Sequence, residues 1–526
     1  MTAISALSSW NTTSAPSSGL ASSANRTDAF TSSSSLAGSP STIVALSKDA
    51  DGPVMVPSPP AWERAPSDAV SRVLSKNMSA YGSAGRFSGL GAALMSQFQA
   101  GVSNYSQSAQ QSAPRVQGAT YAGITAIPPG GLHGNGEDQM TLSITTKSGV
   151  EVKLSLDSQG DGLAVQMTSS GELSDEESKA LAGLSDAFQK AIDGMTQSTP
   201  KLNLGGLMQY DQNVLSSVNL HAQVKLRGGQ EGVQTLDFQA DGTQRKISFS
   251  GAAGNVDVKV DPGKAVALGG KDQQTKAMAS YMKQFDQAAT RGHGDANLMG
   301  MFKDAFTALH SNTSAPKPDS ASATSDSKWR LSPGDKSILT GLADFSASVS
   351  QTVAYSNPMR SSEKDTFNYE VAQNTSLSGN QDNRSIRQEQ TSKLSASYHE
   401  SLVPNVPLKL TTDSASQNYT FHQIEDTASS VAQVGYKDGK LVRASLQQSS
   451  NQSAQVLKYF LGKLESDKTT PGGGSVQRDL MPILGPYRTG EVGLNDEQKD
   501  QRRQQALLNL GDDVLLQSYP GQVITM

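Results

Sequence analysis

The chain has 526 residues, a formal net charge of −5 and no cysteine. The missing cysteine excludes disulfides, thiol catalysis, iron–sulfur clusters and cysteine-based zinc sites. The weakly acidic balance provides neither a basic surface for nucleic acid nor a polybasic patch for an anionic membrane, so we expect neither partner. No stretch approaches the ~18–20 continuous apolar residues of a membrane span, so no membrane insertion is expected either.

Residues 1–66 are predicted to form a disordered, Ser/Pro-rich leader. The first fifty residues contain fifteen serines and only two acids, Asp28 and Asp49, and a Pro-rich stretch follows at 53–66. This composition buries too little apolar surface to offset the roughly 1–2 kcal/mol per residue that ordering of the backbone costs. The N-terminus also lacks the positive and apolar regions of a secretory signal peptide.

The first residues, Met1-Thr-Ala3-Ile4, carry small or aliphatic side chains at positions 3 and 4, and no acid occurs among the first twelve residues. With the Ser-rich continuation, residues 1–50 resemble the uncleaved export signals of type III secretion substrates of plant-associated pseudomonads. The resemblance is compositional and implies export by a non-classical route. The alternative is a plain tail on a cytoplasmic protein, and the sequence leaves the localisation open between these two.

Residues 67–108 are predicted to form an amphipathic helical segment, and residues 109–138 a linker. Glycines lie between two apolar runs and indicate a break or a close approach by another helix. Docking on the following domain is the expected role of the segment, with a second copy or a chaperone as alternatives. The apolar residues recur at three- and four-residue intervals: Val70, Leu74, Met78 and Tyr81, then Phe87, Leu90, Leu94, Phe98, Val102 and Tyr105.

From Met140 the apolar period becomes two, which is typical of strands with one buried face. Hairpins separated by helices, without β-α-β alternation, predict an antiparallel α+β domain over 139–311. Within it, Ser174 and Glu177 form the pattern of a capping box at a helix start. Asp241-Gly242 predicts a tight hairpin turn, and a further turn is expected at 227–230.

A Ser/Pro/Ala linker at 312–331 precedes a second β-rich α+β domain, predicted at 332–468. This domain is expected to start with a short helix at Ser332 that leads into a strand, and to end with a helix through Val456, Phe460 and Leu464. Residues 469–526 are predicted as a Gly/Pro linker and a C-terminal helical tail, capped by Asn495, that lies on the surface. The predicted fold class is therefore α+β, with two antiparallel-sheet units and packed helices, and a duplication of the units is left open.

Motifs for nucleotide binding, metal binding and catalysis are missing from the sequence. It contains no P-loop, no dinucleotide-binding glycine pattern between a strand and a helix, no G-x-S-x-G elbow and no H-E-x-x-H. Tyr459-x-x-x-Lys463 has the spacing of short-chain dehydrogenases but lacks their glycine-rich turn, and we interpret it as an ordinary i,i+4 pair. The sequence therefore predicts no catalytic, cofactor-binding or metal-binding residue, and no cofactor.

The most distinctive local segment is Arg291-Gly292-His293-Gly294-Asp295. Its glycines permit a tight turn between helices, and Asp295 can cap the second helix. His293 would lie near a helix N-terminus, where anions are favoured. The segment is either a structural turn or a loop that binds an anion or a partner.

Taken together, these features favour a non-enzymatic bacterial interaction or structural protein with a protein partner. The alternatives are an enzyme whose site is assembled from dispersed residues and a cytoplasmic scaffold. The oligomeric state is left open, although weakly charged sheet edges would allow pairing with another chain.

Overall fold

The computed structural model describes residues 55–56, 58–112, 115–116, 128–226, 232–312, 330–353, 355–485 and 496–525. The predicted leader before residue 55, the turn at 227–230 and most of the 312–331 linker lie outside the described residues. The described chain contains more strand than helix, and the predicted mixed α+β class is confirmed. No helix in these ranges is both long enough and apolar enough to cross a membrane.

The strands are numbered in chain order. They are β1 (Met55–Val56), β2 (Ala61–Trp62), β3 (Tyr105–Gln110), β4 (Arg115–Val116), β5 (Asp138–Thr146), β6 (Glu151–Gln159), β7 (Gly162–Ser169), β8 (Leu215–Lys225), β9 (Val233–Asp241), β10 (Arg245–Gly251), β11 (Gly254–Asp261), β12 (Asp344–Gln351), β13 (Thr366–Ser378), β14 (Ser385–Ser401), β15 (Tyr419–Lys437), β16 (Lys440–Phe460) and β17 (Lys463–Asp479).

The helices are numbered in the same way. They are α1 (Ala69–Asn77), α2 (Gly82–Arg86), α3 (Leu90–Met95), α4 (Asp175–Ala182), α5 (Ser185–Met195), α6 (Lys271–Gly292), α7 (Ala296–His310), α8 (Pro333–Ser337), α9 (Met481–Leu484), α10 (Asp496–Asp513) and α11 (Pro520–Thr525).

Fifteen of the strands form one antiparallel sheet, and β1 pairs separately with β4. The order across the sheet is β17-β16-β15-β14-β13-β12-β11-β10-β9-β8-β5-β6-β7-β3-β2. From β8 to β17 every strand pairs with the next strand in the chain, so this part is a continuous meander. The pairing of β5 with β8 joins it to the shorter β5-β6-β7 meander.

Alternation of apolar and polar residues gives the sheet two different faces. We call the apolar one the helix face, because α6 and α7 pack on its centre and α3 on β6 and β7. A row of directly opposite residues on this face is apolar, and each of its members is at most 2% exposed. The row consists of Leu154, Leu142, Leu220, Phe238, Ile247 and Val258.

The sheet continues across the predicted boundary between two units. β11 pairs with β12 from Gly254 opposite Gln351 to Asp261 opposite Asp344, and side chains from both predicted units share one core. The prediction of two separate sheet units is therefore wrong. The period of two shows which residues face a core, but it does not show which strand edges meet across a linker.

The predicted closing helix through Val456, Phe460 and Leu464 is a hairpin instead. β16 ends at Phe460, Leu461 and Gly462 turn the chain with φ angles of 47° and 76°, and β17 follows. β16 pairs with β15 along almost its whole length, so the sheet hydrogen bonds override the local helical spacing. The predicted Gly/Pro linker after residue 469 likewise begins as part of β17.

Several local predictions are confirmed. Ser174 and Glu177 form both hydrogen bonds of a capping box at the start of α4. The short helix after Ser332 is α8, which precedes β12. The turn between β15 and β16 at Lys437-Asp438-Gly439-Lys440 has positive φ angles at Asp438 and Gly439, which suit a tight hairpin.

The amphipathic segment after the leader docks on the rest of the chain. Most of its apolar side chains belong to the main core or pack against it, although Tyr81 is fully exposed, and α3 packs against α5. An added Cβ at Gly91 would lie 2.5 Å from Ile192 and 3.1 Å from Phe188. The glycine thus permits the close approach of two helices that the sequence suggested.

The C-terminal tail is more deeply buried than predicted. α10 is present, although its predicted cap, Asn495, lies outside the described residues. Leu510, Val514 and Leu516 are at most 1% exposed, so the end of the tail packs into the protein. The helix face of β14 to β16 carries polar side chains, whereas packing against a helix would require apolar ones. These polar side chains bind the backbone of the tail.

The contacts to the tail backbone are specific. Gln390 Nε2 donates to the Val514 carbonyl at 2.8 Å, and Gln390 Oε1 accepts from the Leu516 amide at 3.0 Å. Gln448 Nε2 donates to the Leu515 carbonyl at 3.0 Å. The buried side chains therefore satisfy backbone groups that the tail brings into the core.

Candidate interaction surface

The face of the sheet opposite the helices, which we call the open face, carries a polar row of directly opposite residues. The row crosses β3, β7, β6, β5 and β8 to β17, and its members from His221 to Lys393 are exposed or half-buried. It consists of Ser106, Gln166, Ser155, Thr141, His221, Asp237, Ser248, Asp257, Ser348, Glu370, Lys393, Thr427, Asn451 and Gly473.

The neighbouring row on the open face contains most of its lysines. Lys246 on β10 and Lys259 on β11 lie directly opposite each other in this row. The row consists of Thr168, Lys153, Ser143, Asn219, Gln239, Lys246, Lys259, Ser346, Ala372 and Thr391. A row with acids at Asp237, Asp257 and Glu370 thus runs beside a row with lysines.

The open face is concave over β10 to β14. We call this concavity the trough; it has a volume of about 450 Å³ and opens to solvent. Its polar lining consists of Lys246, Asp257, Lys259, Ser346, Ser348, Glu370, Thr391, Ser392 and Lys393. Charged groups and hydroxyls therefore converge at the middle of the open face.

The segment Arg291 to Asp295, predicted as a turn or a binding loop, connects α6 and α7 on the helix face. Asp295 accepts a hydrogen bond from the Leu298 amide at 2.8 Å and caps α7, as predicted. An added Cβ at Gly292 or Gly294 would lie within 2.9 Å of the Phe367 ring. Both glycines are therefore required by packing against this ring.

The cationic group of the segment is already paired. Arg291 binds Asp426 through two hydrogen bonds, one of them from Nη2 to Oδ1 at 2.9 Å, and this carboxylate raises the arginine pKa. Burial acts on the arginine pKa in the opposite direction. The carboxylate of Asp426 thus neutralises Arg291. His293 is the exposed side chain of the segment. Binding of an anion or a partner at this loop stays a prediction.

His293 forms a stack with two aromatic rings that the sequence did not connect with it. It adopts a left-handed conformation with φ of 55°. Its ring lies 3.8 Å from that of Tyr398, with 4° between the planes, and Tyr398 stacks on His422 at 4.6 Å. Burial lowers the pKa of His422 against the opposing effect of Glu400, whose Oε2 lies 3.2 Å from Nε2.

A second group of titratable residues lies at the far end of β14 and β15, beneath the chain that connects β12 to β13. His399 Nδ1 lies 2.6 Å from Asp365 Oδ1, and its Nε2 lies 3.3 Å from Glu363 Oε2. Tyr419 donates to Glu363 at 2.6 Å. Asn357 also donates to Glu363, at 3.3 Å.

This group lacks the accessibility that catalysis requires. The side chain of His399 is 1% exposed and that of Glu363 is 9% exposed. Burial, and then the hydrogen bond to Glu363, raise the pKa of Tyr419, so its hydroxyl stays protonated as a donor. The arrangement holds the connecting chain on the sheet, and buried networks of this kind favour a unique structure.

A third group includes a serine beside a histidine. Ser106 Oγ lies 3.2 Å from His133 Nε2, but Glu63 Oε2 lies 2.8 Å from the same nitrogen. In a nucleophilic triad the carboxylate binds the other ring nitrogen, so that Nε2 can take the proton of the serine. Burial alone would raise the pKa of Glu63, but hydrogen bonds from His133, Ser106 and Ser108 lower it. The geometry does not match that of an activated serine.

Within the described ranges, no group of three or more histidines and carboxylates is arranged to hold a metal ion. Comparison of the chain with known protein families, with curated proteins and with solved structures gives no match. The open face, with the residues that line it, is the candidate interaction surface of the described chain.

Proposed function

We propose that the protein is a non-enzymatic interaction protein and that it binds a protein partner through the open face of its sheet. The observation that carries this proposal is the polar row, whose exposed side chains cross the meander on the face opposite α6 and α7. Charged groups of both signs converge in the trough at its middle. Mixed charges and hydroxyls of this kind give orientation and specificity to a polar protein interface.

Site-specific photo-crosslinking in the native host tests this proposal. A photoreactive residue at Ser346, exposed on the open face, should yield a defined crosslinked partner. The same residue at Lys283, exposed on α6 at the opposite side of the sheet, is the matched control. Crosslinks that form at Lys283 and not at Ser346 would place the partner on the helix side and refute the proposal.

We further propose that residues 1–50 act as a non-cleaved export signal, as their composition suggests. A tagged full chain should then appear outside the bacterium, and deletion of residues 1–50 should abolish its export without lowering the intracellular amount. Unchanged localisation after this deletion would favour the cytoplasmic scaffold instead.

A further inference from the structure

Lys246 and Lys259 form a like-charged pair on the open face. Both side chains are exposed, and their strands place them directly opposite each other. Cβ atoms at such positions lie about 4.5–5.5 Å apart, and like charges there destabilise the strand pair. The lysine ion pairs of the described chain involve Lys225, Lys264, Lys276, Lys303 and Lys458. Neither lysine of the opposed pair is neutralised in this way.

The surroundings of the pair provide further donors for an anionic group. Ser346, directly opposite Lys259, and Thr391 present hydroxyls along the same row, and Lys393 adds a third ammonium group to the trough. The chain as a whole is acidic, with a net charge of −5. This concentration of lysines is therefore a local feature and not part of a generally basic surface.

Two acids in the same trough restrict the kind of anion that fits. Asp257 lies two residues from Lys259 on the same face of β11, and Glu370 lies opposite Lys393. These carboxylates would repel a ligand of uniform and dense negative charge, such as a nucleic acid. A protein segment with separated charges can place its carboxylates over the lysines and avoid both acids.

We propose that the trough binds an acidic segment of a protein partner, with a partner carboxylate bridging the ammonium groups of Lys246 and Lys259. This inference rests on the proposed function, since it specifies the chemistry that the open face recognises. The bridging carboxylate lies between the two ammonium groups, so binding weakens their repulsion and adds two ion pairs.

Titration of the full chain with a short fluorescent peptide of alternating glutamates and serines tests the inference, with the peptide in which glutamines replace the glutamates as probe control. The glutamate peptide should bind and the glutamine peptide should not. The double variant K246Q/K259Q should lose about fivefold in affinity, as expected for two exposed ion pairs. Raised salt should weaken binding to the unmodified protein because it screens exposed charges.

The matched control is Lys153→Gln, on the same row but opposite Ser143 and Thr168, which should leave the affinity unchanged. The double variant should keep or slightly raise its melting temperature, because it removes a repulsion between like charges. Equal binding of the glutamate peptide to K246Q/K259Q would overturn the inference.

Inorganic phosphate is a second probe, and binding of phosphate at the lysine pair without binding of the peptide would also overturn the inference. A partner crosslinked at Ser346 would then still support the open face as the binding surface.

Discussion

At the scale of single residues, the packing of His310 makes the stability of the fold depend on pH. It ends α7, packs against the rings of Phe306 and Phe345, and lies 2.9 Å from the Phe306 carbonyl through Nδ1. Burial lowers the pKa of His310 to about 4. The unfolded chain therefore binds a proton at higher pH than the folded protein does.

We predict that the buried His310 lowers the free energy of unfolding as the pH falls from about 6.5 to about 4. This loss is absent above the window and reaches on the order of 3 kcal/mol below it. Chemical denaturation at a series of pH values should show a shallower acid dependence for His310→Gln. An unchanged acid dependence in His310→Gln would contradict this role of the buried histidine.

Two glycines provide a matched test of packing near the α6–α7 turn. Gly292→Ala would place a Cβ 2.8 Å from the buried Phe367 ring and should destabilise the fold by about 1–3 kcal/mol. Gly300→Ala, inside α7 with open space around the new methyl group, should stabilise it by about 0.5–1 kcal/mol. Thermal unfolding measures both, and similar shifts for the two variants would contradict the account of the turn.

The α6–α7 turn also shows which contacts of single residues can be predicted from the sequence and which cannot. The cap formed by Asp295 involves residues three positions apart, so the local pattern was sufficient to predict it. The stack of His293 on Tyr398 and His422 joins residues about a hundred positions apart, and no local pattern specifies such contacts. The same holds for Glu363, His399 and Tyr419, which the register of β14 and β15 and the chain between β12 and β13 bring together.

At the scale of elements, the C-terminal tail is held by polar side chains at strand positions that face the core. Gln390, Ser430 and Gln448 occupy core-facing positions of β14 to β16, and each is at most 1% exposed. A polar residue at such a position suggests a weak or exposed strand when it is considered alone. The tail supplies the backbone partners, so the need for glutamine becomes apparent only after the elements have been assembled.

We predict that Gln448→Ala releases the tail. The substitution leaves the carbonyls of Asp513 and Leu515 without the donor that lies 3.0 Å from each of them, at a cost of about 1–3 kcal/mol. Limited proteolysis should then cut within 496–525 faster than in the unmodified protein. Gln447→Ala, at the neighbouring exposed position, is the control, and equal cleavage rates for both variants would contradict the proposed role of Gln448.

At the scale of the whole molecule, one sheet replaces the two units that the sequence indicated. Many strand positions and buried faces followed from the period of two, and so did the mixed fold class, but the hairpin of β16 and β17 was predicted as a helix and a linker. The joining of β11 to β12 did not, because the three helices α6 to α8 and a linker separate these strands in the chain. Their pairing makes the open face continuous, and the proposed binding surface depends on that continuity.

The pairing of β11 with β12 is open to a direct test because the chain contains no cysteine. Asp257 and Ser348 lie directly opposite each other on these strands, so D257C/S348C should form an intramolecular disulfide under mild oxidation. D237C/S348C, whose positions are separated by the intervening strands β10 and β11, is the control and should remain reduced. Mass spectrometry of the oxidised monomers should find the disulfide only in D257C/S348C. Free thiols in D257C/S348C, with the fold intact by circular dichroism, would contradict the continuous sheet.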